Sequence, residues 1–457
     1  MGIKETMKVK VIDAICGAGK TSWAIQKINS DLDTKGFKRD RIRKFIYVTP
    51  FIKETERINK ATNECLKVPN EKYGKGKKLN HVEALIKEEK SIVMTHELFS
   101  RIDNNTFKVI EEIGYILIMD EVPNVINQVK LSSDDINLLI DSNIISVDND
   151  NKVKWEYENY SGSEKNKFGE LKKIIETNSL YYYKSEKENK DLLFQIFNSR
   201  AFSCFKEVFL LTYLFDGQLQ KCYFDFLDIE YNKFSVKKEN EEYKLIDYDR
   251  NLDNREQIKR LLNVYEDQSS KTNKSKLNSN FFLEGKTDGL TSNWFDKTIN
   301  VSGENGVARE EILGQLNRNT INYFKNRANL KKDEIFWTTI KSVASEISKA
   351  NPYCKFEEIN EKIEKSKKNN FLPMNIRATN DYRECKGAAY IYNRYANPLI
   401  KNFFNKKGIQ LNEELMAVSD LVQFIFRGTI RDGYEMSCYI PSTRMRDLLN
   451  KWMDYKI

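Results

Sequence analysis

The chain has 457 residues, 40 % of them hydrophobic and 31 % charged, with a formal net charge of +8. That is the composition of a water-soluble globular protein of two or three domains, and no run reaches the roughly 18 apolar residues of a membrane span. Seven scattered cysteines without a C-x-x-C pair fit a reducing cytosol, and two histidines, His81 and His96, leave little room for histidine-based metal or Ser-His-Asp chemistry. The first residues lack the layout of a signal peptide, so the expected location is cytoplasmic, in the cytosol of a bacterial host. The positive charge is compatible with a polyanionic partner.

In chain order, the β-branched run Val9–Ile12 predicts a strand and Ser22–Ile28 a helix, with "AICGAGKTS" (14–22) between them. Strand, glycine turn and helix is the context in which backbone amides of Gly17–Lys20 converge on a β-phosphate. Lys20 then supplies a charge to the phosphates and the Thr21 hydroxyl a Mg²⁺ ligand. Ala14 stands where the loose pattern asks for glycine. Further strands are expected at Phe45–Val48, Ile92–Met94 and Tyr115–Met119, with helices between, the signature of a parallel α/β sheet. The last strand runs into Asp120 and Glu121. Asp120 is suited to holding Mg²⁺ and Glu121 to polarising the attacking water.

Residues 148–190 are polar and charged, which predicts an insertion over about 148–200. The apolar run 208–215, "VFLLTYLF", resumes the sheet, and 266–281 reads as linker. A second strand-and-helix series follows, with strands expected at 335–340, 371–379 and 438–442. In "DLVQFIFRGTIRDG" (420–433), Gln423, Arg427 and Arg431 recur every four residues. On one helix they would form a polar stripe, with Ser419 as N-cap and Gly433 at the stop. Such a stripe is otherwise an ordinary solvated face. Tyr390, Tyr392 and Tyr395 are candidates for base stacking, although helical aromatics are more often core.

Taken together, these segments resemble superfamily 2 helicases and translocases of the DEAD/DEAH-box-like kind. Ala14-x-x-Gly17-Ala18-Gly19-Lys20-Thr21, with Ser22 next, is similar to their motif I, "YVTPFIKETERI" (47–58) to motif Ia, and "IVMTHELF" (92–99) to a nucleic-acid-contacting segment. Asp120-Glu121-Val-Pro resembles the Asp-Glu-x-x box, "LLTYLF" (210–215) takes the place of the Ser/Thr-Ala-Thr motif, and Gln423-x-x-x-Arg427 resembles motif VI. In the family the second arginine follows the first by three residues; here Arg431 follows by four.

The resemblance implies an α/β fold of two RecA-like lobes, each a mainly parallel sheet flanked by helices, with a polar insertion and linker. The expected boundaries are 1–235 for the first lobe, 236–285 for the linker and 286–457 for the second lobe. It implies ATP and Mg²⁺ as cofactors. Catalytic roles fall to Glu121, Gln423, Arg427 and Arg431, with Arg431 favoured for the phosphate and Arg427 for positioning. Ala14, Gly17, Ala18, Gly19, Lys20, Thr21 and Ser22 bind nucleotide, and Thr21 and Asp120 hold the metal. Nucleic acid would be met by Thr49, Pro50, Thr95, Arg377 and Thr379. Single-stranded or forked DNA is expected ahead of RNA, with replication or recombination proteins as further partners and no membrane. The Lys/Asn-rich character suggests a phage or mobile element. Two other readings stay open: a packaging-type motor with a nuclease domain, and a nucleotide-gated nucleic-acid-binding scaffold.

Overall fold

The computed structural model describes residues 9–32, 43–357 (apart from 75, 122, 161, 163–165, 178, 187–188, 270–273, 279–288 and 301–308), 369–373 and 381–457. The chain forms two compact units. One comprises 1–14, 19–249 and 397–411; the other comprises 15–18, 250–396 and 412–457.

The first unit is built on a seven-stranded sheet. Its strands are β1 (Val9–Asp13), β2 (Phe45–Thr49), β3 (Ile92–Thr95), β4 (Ile116–Asp120), β10 (Glu207–Thr212), β11 (Tyr231–Glu239) and β12 (Glu242–Asp247), in the order β12-β11-β1-β10-β4-β2-β3. All neighbours pair in parallel except β11 and β12. β2 and β4 are buried along their whole length, as the covered faces of a parallel sheet require, which is why they read as continuous apolar runs. Helix α1 (Lys20–Leu32) packs Trp23, Ala24 and Ile28 onto this sheet, with Trp23 5.2 Å from Phe209 between ring centroids.

The polar stretch expected as an insertion is an ordered subdomain beginning earlier, near residue 126. It contains β5 (Ile126–Gln128), β6 (Ile145–Val147), β7 (Val153–Trp155), β8 (Leu180–Ser185) and β9 (Lys190–Ile196). β5, β9 and β8 form one antiparallel sheet, and β6 pairs with β7. Its own core joins Ile136, Leu139, Ile145, Val153, Leu171, Ile175, Leu180 and Leu193. These apolar positions are spread thinly among charged ones, so composition alone concealed them. The helix Pro398–Lys406 also belongs to the first unit. Its Phe403 lies 5.1 Å from Phe194 and 5.7 Å from Phe226, and Lys406 donates to Lys184 O at 2.8 Å.

The second unit holds a four-stranded parallel sheet in the order β13-β18-β17-β16, from β13 (Leu262–Val264), β16 (Ile335–Thr338), β17 (Gly387–Tyr390) and β18 (Met436–Tyr439). A two-stranded pair, β14 (Gln268–Ser269) and β15 (Lys274–Ser275), precedes it in the chain after β13. The expected linker 236–285 is therefore largely structured. β11 and β12 finish the first sheet, β13 joins the second, and Leu277 enters the second core. Of the strand expected at 371–379, Phe371 makes an isolated bridge to Trp337, and 374–380 lie outside the described residues. Among the described residues, no helix is long and apolar enough to cross a membrane.

Candidate nucleotide site

Three neighbouring strands of the first unit, β1, β10 and β4, end side by side. Ala14 N–H donates to Thr212 O (3.1 Å) and Glu121 N–H to Leu211 O (3.0 Å). The turn after β1 needs its glycines, since Gly17 and Gly19 have φ of +92° and +99°, a region that side chains rarely adopt. α1 begins at Lys20, earlier than the expected Ser22, and Trp23 N–H already reaches Gly19 O at 2.8 Å. Lys20 Nζ donates to Ala14 O.

Opposite the start of α1, the Asp120 carboxylate is the convergence point. Its Oδ2 accepts from Thr21 Oγ1 at 3.2 Å and from Tyr47 OH at 2.9 Å, and His96 Nε2 lies 2.9 Å from its backbone O. Burial and the neighbouring Glu121 push the Asp120 carboxyl up to about 6, against the pull of Tyr47, Lys20 and Thr21. Glu121 is held at φ +67°, a costly conformation for a non-glycine residue and one that gathers at functional sites. A second buried carboxylate, Asp13 at the end of β1, accepts from the N–H groups of Leu214 (2.7 Å) and Phe215 (3.0 Å). Burial raises it to about 6. It thereby fixes the turn after β10, where Leu214 has φ +53° and Thr212 pairs with Gln218.

Tyr47, Asp13 and His96 were not among the expected site residues. Their signals are a tyrosine in the middle of an apolar strand, a carboxylate directly before the phosphate loop, and an imidazole after the "VMT" strand end. The expected contacts with nucleic acid stand differently. Thr49 is fully buried, its hydroxyl without a partner among the described residues. Pro50 follows it at the strand end, and Thr95 caps the short helix His96–Phe99 by accepting from Leu98 N–H. Arg377 and Thr379 lie outside the described residues.

In the second unit the expected helix 420–433 is not found as such. The helix runs Glu413–Ile425 with Asn412 as its cap, and a 3₁₀ turn follows at Thr429–Asp432. Ser419 lies inside the helix, where Gln423 Nε2 donates to its hydroxyl (3.0 Å). Gly428 intervenes because a Cβ there would meet Cys385 O at 2.7 Å. The Gln423–Arg427–Arg431 stripe is therefore broken. Gln423 and Arg427 are buried. Arg431 is half-buried, and the loop residues 15–18, which group with this unit, bring Gly17 against it. A Cβ on Gly17 would lie 3.2 Å from Arg431 Cγ. Tyr390 and Tyr392 are core residues, and Tyr395 stacks under Arg444 at 4.0 Å.

The donors at Asp120 suit a hard divalent cation. They are a carboxylate oxygen and a hydroxyl, and Mg²⁺ is commonly held by one or two carboxylates together with substrate phosphates. Among the described residues, no group of three or more His, Cys, Asp or Glu side chains is placed to hold a metal by itself.

Two family models match the chain. Residues 256–453 match the YonV C-terminal Rossmann-like domain and 126–194 the YonV middle domain, the ordered subdomain described above. The SPbeta prophage-derived uncharacterized protein YonV of Bacillus subtilis (strain 168) is 32 % identical over 456 residues, covering 98 % of this chain and 99 % of that one. Among solved structures, S. tokodaii Xpd4 is similar with a TM-score of 0.50 at 13 % identity, over 98 % of this chain and 94 % of that chain. At that identity the likeness shows a shared fold and nothing further.

Proposed function

The chain belongs to the YonV family, and we propose that it is an ATP-hydrolysing nucleic-acid motor, a helicase or translocase of the superfamily 2 kind. The observation that carries this reading is the pairing of Thr21 with Asp120, 99 residues apart in sequence and 3.2 Å apart in space. A loop hydroxyl and a strand-end carboxylate meeting at the N-terminus of a helix is the arrangement that shares a Mg²⁺ ion beneath a triphosphate. The ion would neutralise charge on the phosphate oxygens.

The chain's own groups supply the rest. The amides of Gly17–Lys20 and the Lys20 ammonium cradle the phosphates. Glu121, displaced from ordinary backbone geometry at the end of β4, accepts the proton of the attacking water. Tyr47 and His96 hold Asp120 from its carboxylate and its carbonyl and act as positioning residues. Arg427 and Arg431 are the candidate cations for the γ-phosphate. Movement along DNA would follow from nucleotide-dependent contacts that are mainly to phosphates.

The test is ATP hydrolysis by the full chain with and without single-stranded DNA. Wild type should hydrolyse ATP faster with DNA, and Lys20→Ala should lose both hydrolysis and tight ATP binding. An unaffected Lys20→Ala variant would refute the cradle.

A further inference from the structure

We propose that Tyr243 is the platform on which the base of the bound nucleotide stacks, so that the hairpin β11–β12 forms the base-side wall of the site. This rests on the reading of Ala14–Thr21 as a triphosphate cradle and adds recognition of an aromatic nucleobase. Phosphate contacts made by amides, a lysine and a hydroxyl do not distinguish a nucleotide from inorganic polyphosphate. An aromatic face beside the loop does, because every base has a π-face and a purine has the larger one.

The placement of Tyr243 is specific. A Cβ added to Gly19 would collide with the Cε1–Cδ1 edge of its ring and lie 3.0 Å from Cζ. The tyrosine therefore lies directly on the main chain of the phosphate loop, and glycine at 19 is what lets it approach. Its own backbone is tied to the helix that leaves the loop. Tyr243 N–H donates to Gln26 Oε1 at 2.9 Å, and Gln26 Nε2 donates to Tyr243 O at 3.5 Å. β12 pairs with β11, Tyr243 opposite Lys238, and β11 pairs in parallel with β1, the strand that feeds the loop. The loop glycine thus meets the ring, while helix and hairpin fix the tyrosine's main chain. The ring packs at the margin of the core cluster containing Trp23, Ala24 and Ile28, yet stays half-buried. A tyrosine that only sealed the core would not need to lie on the loop glycine.

The experiment measures binding of ATP and, separately, of inorganic tripolyphosphate to the full chain by calorimetry with Mg²⁺ present. Tyr243→Ala should weaken ATP by about 10- to 100-fold, the usual effect of removing a base-stacking aromatic, and leave tripolyphosphate within about twofold. Tyr243→Leu, which keeps apolar bulk, should lose ATP affinity likewise, whereas Tyr243→Phe should retain it. The proposal is overturned if the Ala and Leu variants bind ATP like wild type. It is equally overturned if ATP and tripolyphosphate weaken together, since the ring would then be shaping the loop and not meeting a base. Wild type that binds neither compound would instead refute the cradle itself, which separates the two failures.

Discussion

Replacing Tyr47 by Phe isolates one hydrogen bond at the centre of the site. Tyr47 is fully buried on β2, and its hydroxyl donates to Asp120 Oδ2 at 2.9 Å. Phenylalanine fills nearly the same space, so the packing of the sheet should survive. A hydrogen bond to a charged group is worth roughly 1.5–3 kcal/mol, and 1.36 kcal/mol corresponds to about one pKa unit. The carboxyl of Asp120, already near 6, should therefore rise by about one to two units. At pH 7 the charged fraction would fall from roughly nine-tenths to half or less.

Because a carboxylate must be ionised to bind a cation, Tyr47→Phe should need several-fold more Mg²⁺ for half-maximal ATP hydrolysis at pH 7. The acidic limb of its pH–rate profile should move upward by about one to two units, with recovery near pH 9. Stability should follow the same direction. Asp120 in the folded chain already lies above its ordinary value of 3.8, so its contribution is complete below that value and is lost as pH rises through about 6. The variant extends this loss to higher pH. A profile and a Mg²⁺ requirement superimposable on wild type would refute the reasoning and reduce Tyr47 to packing.

Further outcomes are expected. Glu121→Gln should bind ATP but turn over at least about 100-fold more slowly, because an amide cannot accept the proton; unchanged phosphate release would return Glu121 to an ordinary loop. Alanine at whichever of Arg427 and Arg431 meets the γ-phosphate should cost about 10³–10⁵ in rate at saturating DNA, far beyond a surface ion pair, with poor rescue by lysine. Changes within a few-fold for both variants would remove the second unit from the reaction. Asp13→Asn removes a carboxyl held near 6. Wild-type stability from this group is present below about 4 and fades as pH rises through 6, so the gap between variant and wild type in denaturant melts should change by about 2 kcal/mol between pH 4.5 and 7.5. Parallel pH profiles would contradict it.

The parts of this fold legible in sequence are those whose signal is local. β1, β2, β3, β4 and β10 are short apolar runs buried on both faces, and the loop glycines and Asp120–Glu121 sit at their ends. What escaped depends on partners distant in the chain. Tyr47 gains its role from Asp120 and Tyr243 its place from Gly19, and no window of sequence contains either pair. The subdomain after β4 was hidden by charged outward faces around a small core. The four-residue recurrence of Gln423, Arg427 and Arg431 suggested one continuous helix. Gly428, standing inside that recurrence, was the available sign that the helix stops, and it does stop at Ile425.

The return of Pro398–Lys406 to the first unit has a consequence for how the protein is made. Phe403 covers Phe194 and Phe226 from a position far downstream of the last large segment of that unit, which ends at residue 249. At roughly 5–20 residues per second, a ribosome needs on the order of 10–30 s to travel from residue 249 to residue 411. Throughout that interval the emerging N-terminal body carries an uncovered aromatic surface, the kind of exposure that chaperones recognise and that drives aggregation. Completion of the first unit is thus postponed until most of the second unit has also been synthesised.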